Sequence, residues 1–264
     1  MAIMSKTASE LKHSSIIYTY PCGSVDIIHS TSGFIESGWE AAGAKPPPSA
    51  ERRGREAGKI AEGQDLERSM RRARAKLRRL ALANDFKWFV TLTLDPAKID
   101  REDGKAVAKA LSTWADNMVR RKGLKYVLVP ELHKKGGIHF HGFFNDAVEV
   151  VDSGHRDGAG HPIFNLPEWH LGFTTAIALY GDYPSAVGYV TKYIGKQGVR
   201  PMGRWYYSGG RLAEPSKTYA DFDRCELREQ YCAKAVEFSI PGGSLMVIHD
   251  KMEGYNNDLQ TKVD

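Results

Sequence analysis

Alternating hydrophobic and polar positions along the chain predict several short β-strands separated by amphipathic helices. Residues 87–94 are β-branched and aromatic and end at an Asp-Pro pair, while 126–132 and 138–144 are two strand-like runs joined by a glycine-containing loop. Apolar residues recur every three to four positions over 65–80 and again over 105–121, which indicates two helices. Short strands, one hairpin and intervening helices predict an α+β fold with an antiparallel central sheet flanked by helices.

The flanking segments are less regular and suggest three divisions of the chain. Two β-prone runs at 16–20 and 25–29 predict a hairpin, whereas 41–63 is rich in Ala, Gly, Pro and charge. We therefore expect an N-terminal hairpin and flexible basic linker (1–64), a central domain (65–215) and a C-terminal extension packed on or following it (216–264). The other expected elements are a loop at 152–167, a strand at 173–179, a helix at 184–196, a helix near 225–235 and a last strand near 244–249.

Composition places the chain among globular proteins that do not span a membrane. Its 264 residues are 42% hydrophobic and 26% charged, and no apolar run approaches the roughly 20 residues of a membrane helix. The N-terminus lacks the apolar core of a secretory signal. Cys22, Cys225 and Cys232 are odd in number and widely spaced, which fits neither a disulfide framework nor a zinc ribbon. These features predict a protein of the reducing cytoplasm, without a membrane partner.

The positive charge is concentrated in one segment. The chain carries +5 overall, but residues 51–80 hold eleven Lys or Arg against five acidic residues. Such a block is typical of a polyanion contact, because neutralising phosphates releases counterions. A solvated helix face has the same composition and remains the alternative.

A pair of histidines in the predicted strand 138–144 is the first candidate for chemistry. Side chains alternate along a strand, so His139 and His141 point to the same face. Glu131, in the preceding strand of the hairpin, can lie beside them. Two imidazoles and a carboxylate can hold a divalent cation with open positions, although histidines at a sheet surface often only form hydrogen bonds. His133 is a fourth candidate, for which a solvated turn position is the alternative.

The predicted helix 184–196 carries the second candidate group. Tyr189 and Tyr193 are four residues apart and share a face, and Lys192 and Lys196 are spaced in the same way. A phenol needs a nearby cation or an activated target to act as a nucleophile, and a lysine can offset the charge of a phosphorane-like transition state. The alternative interpretation is a packing stripe.

Together these motifs resemble those of the HUH endonucleases, specifically the rolling-circle replication initiator (Rep) proteins. Over about 68–196 the chain has WFVTLTL at 88–94, similar to the FTLT strand, then IHFH at 138–141, then YVTKY at 189–193. The tandem tyrosines are similar to those of initiators of circular single-stranded DNA phages. The histidines precede the tyrosines, as in Rep proteins and unlike conjugative relaxases.

The resemblance implies a ferredoxin- or RRM-like HUH core and a specific chemistry. Glu131, His139 and His141 would hold Mg²⁺ or Mn²⁺, and Tyr189, then Tyr193, would attack the scissile phosphate with Lys192 and Lys196 nearby. The product would be a 5′-phosphotyrosine and a free 3′-OH at a single-stranded origin, extended by a host polymerase. No nucleotide-binding P-loop is present, so unwinding would fall to a host helicase. The expected DNA contacts are Arg68, Arg71, Arg72, Arg74, Lys76, Arg78, Arg79, Thr91 and Thr93.

Two other functions fit parts of the pattern. A non-enzymatic nucleic-acid-binding module with an RRM-like sheet would bind without a metal, although 87–94 lacks the aromatic pattern of RNP strands. A non-haem iron triad could use the same three ligands. Trp205, Tyr206 and Tyr207 are expected in a buried strand, with base stacking as the alternative.

Overall fold

The computed structural model describes residues 12–35, 62–133, 136–196, 198–240 and 242–251, with side chains of the first helix from residue 66. Four helices lie in these ranges: α1 (Glu62–Leu82), α2 (Gly104–Lys122), α3 (Tyr183–Thr191) and α4 (Arg224–Gln230). The strands of the central segment are β3 (Trp88–Leu94), β4 (Tyr126–Leu132), β5 (Ile138–Phe144), β6 (Val151–Arg156), β7 (Pro162–Asn165), β8 (Gly172–Ala178) and β9 (Tyr207–Gly209). The strands near the two ends are β1 (Lys12–Thr19), β2 (Ser24–Ile35), β10 (Ser216–Ala220), β11 (Ala235–Ile240) and β12 (Gly243–Lys251).

The chain folds as two compact units, one from its two ends and one from the central segment Ile60–Pro215. In the first unit five antiparallel strands pair in the order β10-β1-β2-β12-β11 around a core that includes Ile17, Ile27, Met246 and Ile248. The predicted N-terminal hairpin is confirmed as β1 and β2. Its pairing with strands near the other end of the chain is not visible in any local pattern.

The second unit contains a seven-stranded antiparallel sheet in the order β6-β7-β8-β3-β5-β4-β9. Helix α2 connects β3 to β4, and β5 lies between these two strands, which is a split β-α-β arrangement. The apolar stripe of α2, including Leu111 and Trp114, packs on the alternate buried residues of β3, including Val90 and Leu92. The predicted α+β class, an antiparallel sheet flanked by helices, is confirmed.

The opposite face of this sheet carries the polar half of the alternation. Because neighbouring side chains of a strand point in opposite directions, Thr91 and Thr93 of β3 share a face with His139 and His141 of β5, which are their direct register partners. We call this face the histidine face. Helices α1 and α3 pack against each other, and α1 also contacts β4.

Several expected elements differ from the observed ones. The predicted loop at 152–167 is wrong: β6 and β7 form a hairpin there, whose mostly exposed residues leave no apolar alternation to detect. The expected helix 184–196 ends at Thr191, and 192–196 continue as turns. The expected helix near 225–235 ends at Gln230, and β11 begins at Ala235. The expected linker at 41–61 lies outside the described residues, and no helix within them is long and apolar enough to cross a membrane.

Candidate active site

The predicted metal ligands lie together on the histidine face. His139 and His141 are half-buried and alternate with the buried Phe140, and Glu131 of β4 is the register partner of His139. The Glu131 Oε2 atom lies 2.8 Å from His141 Nε2. Strand alternation and the β4–β5 hairpin therefore bring all three side chains to one place, as the sequence predicted.

Glu131 also connects the sheet to the segment that follows α3. Lys196 Nζ donates a hydrogen bond of 2.7 Å to Glu131 Oε1, so each carboxylate oxygen has its own partner. This bond raises the pKa of the Lys196 ammonium above its usual value, which keeps it charged. The same ammonium lies 5.2 Å from the centre of the Tyr193 ring.

The two threonines of β3 contact the histidines directly. Thr91 Oγ1 lies 3.2 Å from His141 Nδ1, and Thr93 Oγ1 lies 3.3 Å from His139 Nδ1. A hydroxyl that accepts the Nδ1 proton leaves Nε2 with a free lone pair, which is how outer partners orient metal-binding histidines. Sequence reasoning expected DNA contacts from these threonines, whereas in the structure they hold the imidazoles.

Both imidazoles are held in their uncharged form. Burial is the main cause that lowers the pKa of His141, and Glu131 opposes it in part. Burial also lowers the pKa of His139, reinforced by the neighbouring His133 and His141. His133 is exposed and stacks on His139 with ring centres 5.0 Å apart. A neutral imidazole is the form that binds a metal ion.

The donor set was compared with what a divalent cation requires. Within the described ranges, no three His, Cys, Asp or Glu side chains stand as an assembled metal-binding group. Two adjacent ligands of an octahedral ion, each at about 2.1 Å, lie about 3 Å apart, and Glu131 Oε2 and His141 Nε2 are 2.8 Å apart. Two imidazole nitrogens and a carboxylate oxygen form a donor set that Mn²⁺ accepts. The residues therefore fit such an ion.

Both candidate nucleophiles lie on the histidine face. The Tyr193 ring stacks on the His141 ring, with centres 4.1 Å apart and an angle of 13° between the planes. The Tyr193 hydroxyl donates a 2.6 Å hydrogen bond to the Tyr189 hydroxyl. Tyr189 is 51% exposed, and its ring meets Phe89 of β3 edge to face. The two phenols and the imidazoles thus form one cluster.

The two phenols differ in environment. Burial raises the pKa of Tyr193 well above its usual value, and the hydrogen bond to Tyr189 and the charge of Glu131 act in the same direction. Tyr193 therefore remains a protonated donor. Tyr189 accepts that hydrogen bond and is the one whose oxygen is more open to solvent.

The turn that carries Tyr193 and Lys196 is held by α1. The Arg74 guanidinium donates two hydrogen bonds, of 3.1 and 2.7 Å, to the carbonyl of Ile194. Gly195 has φ +73°, and a Cβ there would collide with the Met70 side chain. Sequence reasoning placed Arg74 among the DNA contacts, and the internal role appears only in the structure, because a charge run does not show which of its members point inward.

The remaining residues of the basic helix divide by exposure. Arg71 and Arg72 are exposed, and Arg68, Arg78 and Arg79 are half-buried. Lys76 is ion-paired with Glu214 at 2.6 Å. The Trp205 indole is buried and donates to Ser69 on the same helix, which fits the buried interpretation of the aromatic run at 205–207.

Comparison with known proteins gives one match, and it covers this site. Residues 87–198 match the ORF2 family model of replication-associated proteins. That segment runs from β3 to just beyond Lys196 and contains both tyrosines, both histidines and Glu131. No curated protein and no solved structure matches the chain significantly. The chain is thus similar to replication-associated proteins over the part that forms the site, which supports a role in DNA replication and an interaction with DNA.

Proposed function

We propose that this protein is a replication initiator that nicks and rejoins single-stranded DNA by tyrosine transesterification, as HUH-type Rep proteins do. The single observation that carries the proposal is the cluster on the histidine face. Two phenols joined by a hydrogen bond stand against His141, and His141 in turn contacts a carboxylate. The similarity of 87–198 to replication-associated proteins supports the same function.

Each residue of the cluster has a role in this reaction. His139, His141 and Glu131 would hold Mg²⁺ or Mn²⁺, with Thr91 and Thr93 orienting the imidazoles. When bound, such an ion polarises a non-bridging oxygen of the scissile phosphate. Lys196 stands beside Glu131 and Tyr193, where its fixed positive charge offsets negative charge on phosphorus.

Tyr189 is the first nucleophile in this proposal. Its phenol oxygen forms a bond to phosphorus, the bond from phosphorus to the 3′ oxygen breaks, and the 3′ oxygen takes up a proton as the phenol loses one. The result is a 5′-phosphotyrosine and a free 3′-OH. Tyr189 is chosen because it is exposed and accepts the hydrogen bond from Tyr193. Tyr193, or the 3′-OH itself, would attack in the second, rejoining step.

The DNA strand and its partners follow from the same reasoning. The reaction exchanges one phosphodiester for another, so it requires no nucleotide cofactor. The exposed arginines Arg71 and Arg72 of α1 supply the positive charge that attracts the strand, and binding should weaken with salt. We propose that the free 3′-OH is extended by a host polymerase after a host helicase opens the duplex, in the cytoplasm of the host cell.

The direct test is covalent capture of DNA. The protein is incubated with a random single-stranded library and Mn²⁺, separated on a denaturing gel, and the attached strands are sequenced. We expect adducts that share a sequence and disappear with EDTA. Binding that ignores EDTA and never becomes covalent would instead indicate a non-enzymatic nucleic-acid-binding module.

Tyrosine variants assign the nucleophile in that experiment. Tyr189→Phe should remove most of the adduct, Tyr193→Phe should retain a first adduct but impair rejoining, and the double variant should form none. Tyr219→Phe, in the other unit, is the matched control because it also removes one phenol oxygen. Adducts that persist in the double variant would contradict the assignment.

A further inference from the structure

We propose that a cavity beside Tyr189 binds one unpaired nucleobase of the strand that is cleaved. The inference rests on the proposed function and adds to it a specific site of base recognition. It concerns the space between β8, α3 and the β6–β7 hairpin. None of the three sequence motifs includes this hairpin.

The cavity has the size and lining of a site for a flat ring. Its volume is about 240 Å³, and its walls include Phe89, Ile177, Tyr180, Ala186, Tyr189 and His161. An apolar cavity of about 150 Å³ already accommodates benzene, so this one has room for a nucleobase. Among the described residues that line it there is no lysine or arginine, so the cavity suits the neutral base better than the phosphate.

One wall is a stacked aromatic pair that is held in place. The rings of His161 and Tyr180 lie 4.6 Å apart with an angle of 21° between them. Asp157, in the turn between β6 and β7, accepts the backbone N–H of His161 at 2.8 Å and lies 3.1 Å from its Nδ1 atom. Tyr180 is 53% exposed despite this ordered stack. A rigid, open aromatic surface of this kind is what unpaired bases stack on.

The opposite wall is the nucleophile itself. The Tyr189 ring packs edge to face on Phe89, with centres 6.0 Å apart, and forms part of the cavity lining. A base and the phosphate of its own nucleotide are separated by a single sugar. A base held in this cavity therefore brings an adjacent phosphate to the mouth of the cavity, where the Tyr189 hydroxyl lies. The cavity would position the scissile bond by holding its neighbour, an effect that needs no base-specific contact.

Photochemical crosslinking tests the inference without requiring cleavage. A thymidine oligonucleotide with one 5-iodouracil at its centre is bound to the full chain in EDTA, irradiated, digested and mapped by mass spectrometry. We expect crosslinks at Tyr180 or His161. Tyr180→Leu removes the stacking ring, and Ala186→Leu fills the cavity. Each should reduce the crosslinked yield at the cavity about tenfold, the order expected for losing one base–aromatic stack.

Tyr219→Leu is the matched control, because Tyr219 also packs on a histidine, His13, but lies in the other unit. It should leave the cavity crosslink unchanged. Crosslinks that map only elsewhere, or that persist in both cavity variants, would overturn the inference. Adduct formation with Mn²⁺ combined with crosslinks elsewhere would refute the cavity alone. Crosslinks in the cavity without any adduct would refute the nicking reaction and leave the base site standing.

Discussion

Replacing Thr91 with valine should weaken the binding of Mn²⁺ about tenfold while leaving the fold intact. Valine has nearly the same shape as threonine but cannot accept the hydrogen from His141 Nδ1, 3.2 Å away. A typical hydrogen bond contributes about 0.5–1.5 kcal/mol, and loss of an outer partner of a metal-binding histidine costs about 10- to 100-fold in affinity. The two ranges overlap near tenfold, or about 1.4 kcal/mol.

The measurement is a Mn²⁺ titration followed by electron paramagnetic resonance of the free ion, with the metal dependence of adduct formation recorded in parallel. Thr175→Val is the matched control, because Thr175 of β8 is the register partner of Thr91 on the same face and is exposed. If the Mn²⁺ affinities of the two variants agree within about twofold, Thr91 does not orient His141 for metal binding and the argument is wrong.

Three further predictions concern other parts of the molecule. Arg74→Ala should slow adduct formation about tenfold relative to the charge-matched Arg72→Ala, because it releases the Ile194 carbonyl through loss of charged hydrogen bonds; equal rates would refute this. Gly142→Ala should destabilise the central unit by about 1–3 kcal/mol in urea unfolding, since its Cβ would meet the backbone of β4; an unchanged midpoint would contradict it. Burial lowers the pKa of His29, so protonation costs folding energy and stability should fall as pH drops below about 6.5. Thermal unfolding at about pH 7 and about pH 5 should show a smaller loss in His29→Gln, and equal losses would exclude His29 as the cause.

The sheet around the site could be predicted from sequence because its signals are local. The predicted ranges 126–132 and 138–144 are the observed bounds of β4 and β5, since alternation and the glycines of the connecting loop define both ends. The common face of His139 and His141 follows from the two-residue period of a strand. Tyr189 and Tyr193 remain neighbours even though α3 ends at Thr191, because the turns that follow keep them within hydrogen-bond distance.

Other features depend on contacts between distant residues and left no local signal. The pairing of β1 with β10 and of β2 with β12 joins the two ends of the chain, which no periodicity reveals. The hairpin of β6 and β7 is mostly exposed, so it lacks the apolar alternation of a strand. The inward direction of Arg74 is set by Ile194, 120 residues later.

Peptide mapping of the covalent adduct tests the central claim most directly. Trypsin cleaves after Lys192, which lies between the two tyrosines, so Tyr189 and Tyr193 fall in different peptides. After incubation with Mn²⁺ and a cleavable single strand, we expect a nucleotide mass on the peptide that ends at Lys192, with fragmentation placing it on Tyr189. A nucleotide attached to any residue other than Tyr189 or Tyr193, or no attachment under conditions where the strand is cut, would contradict the account.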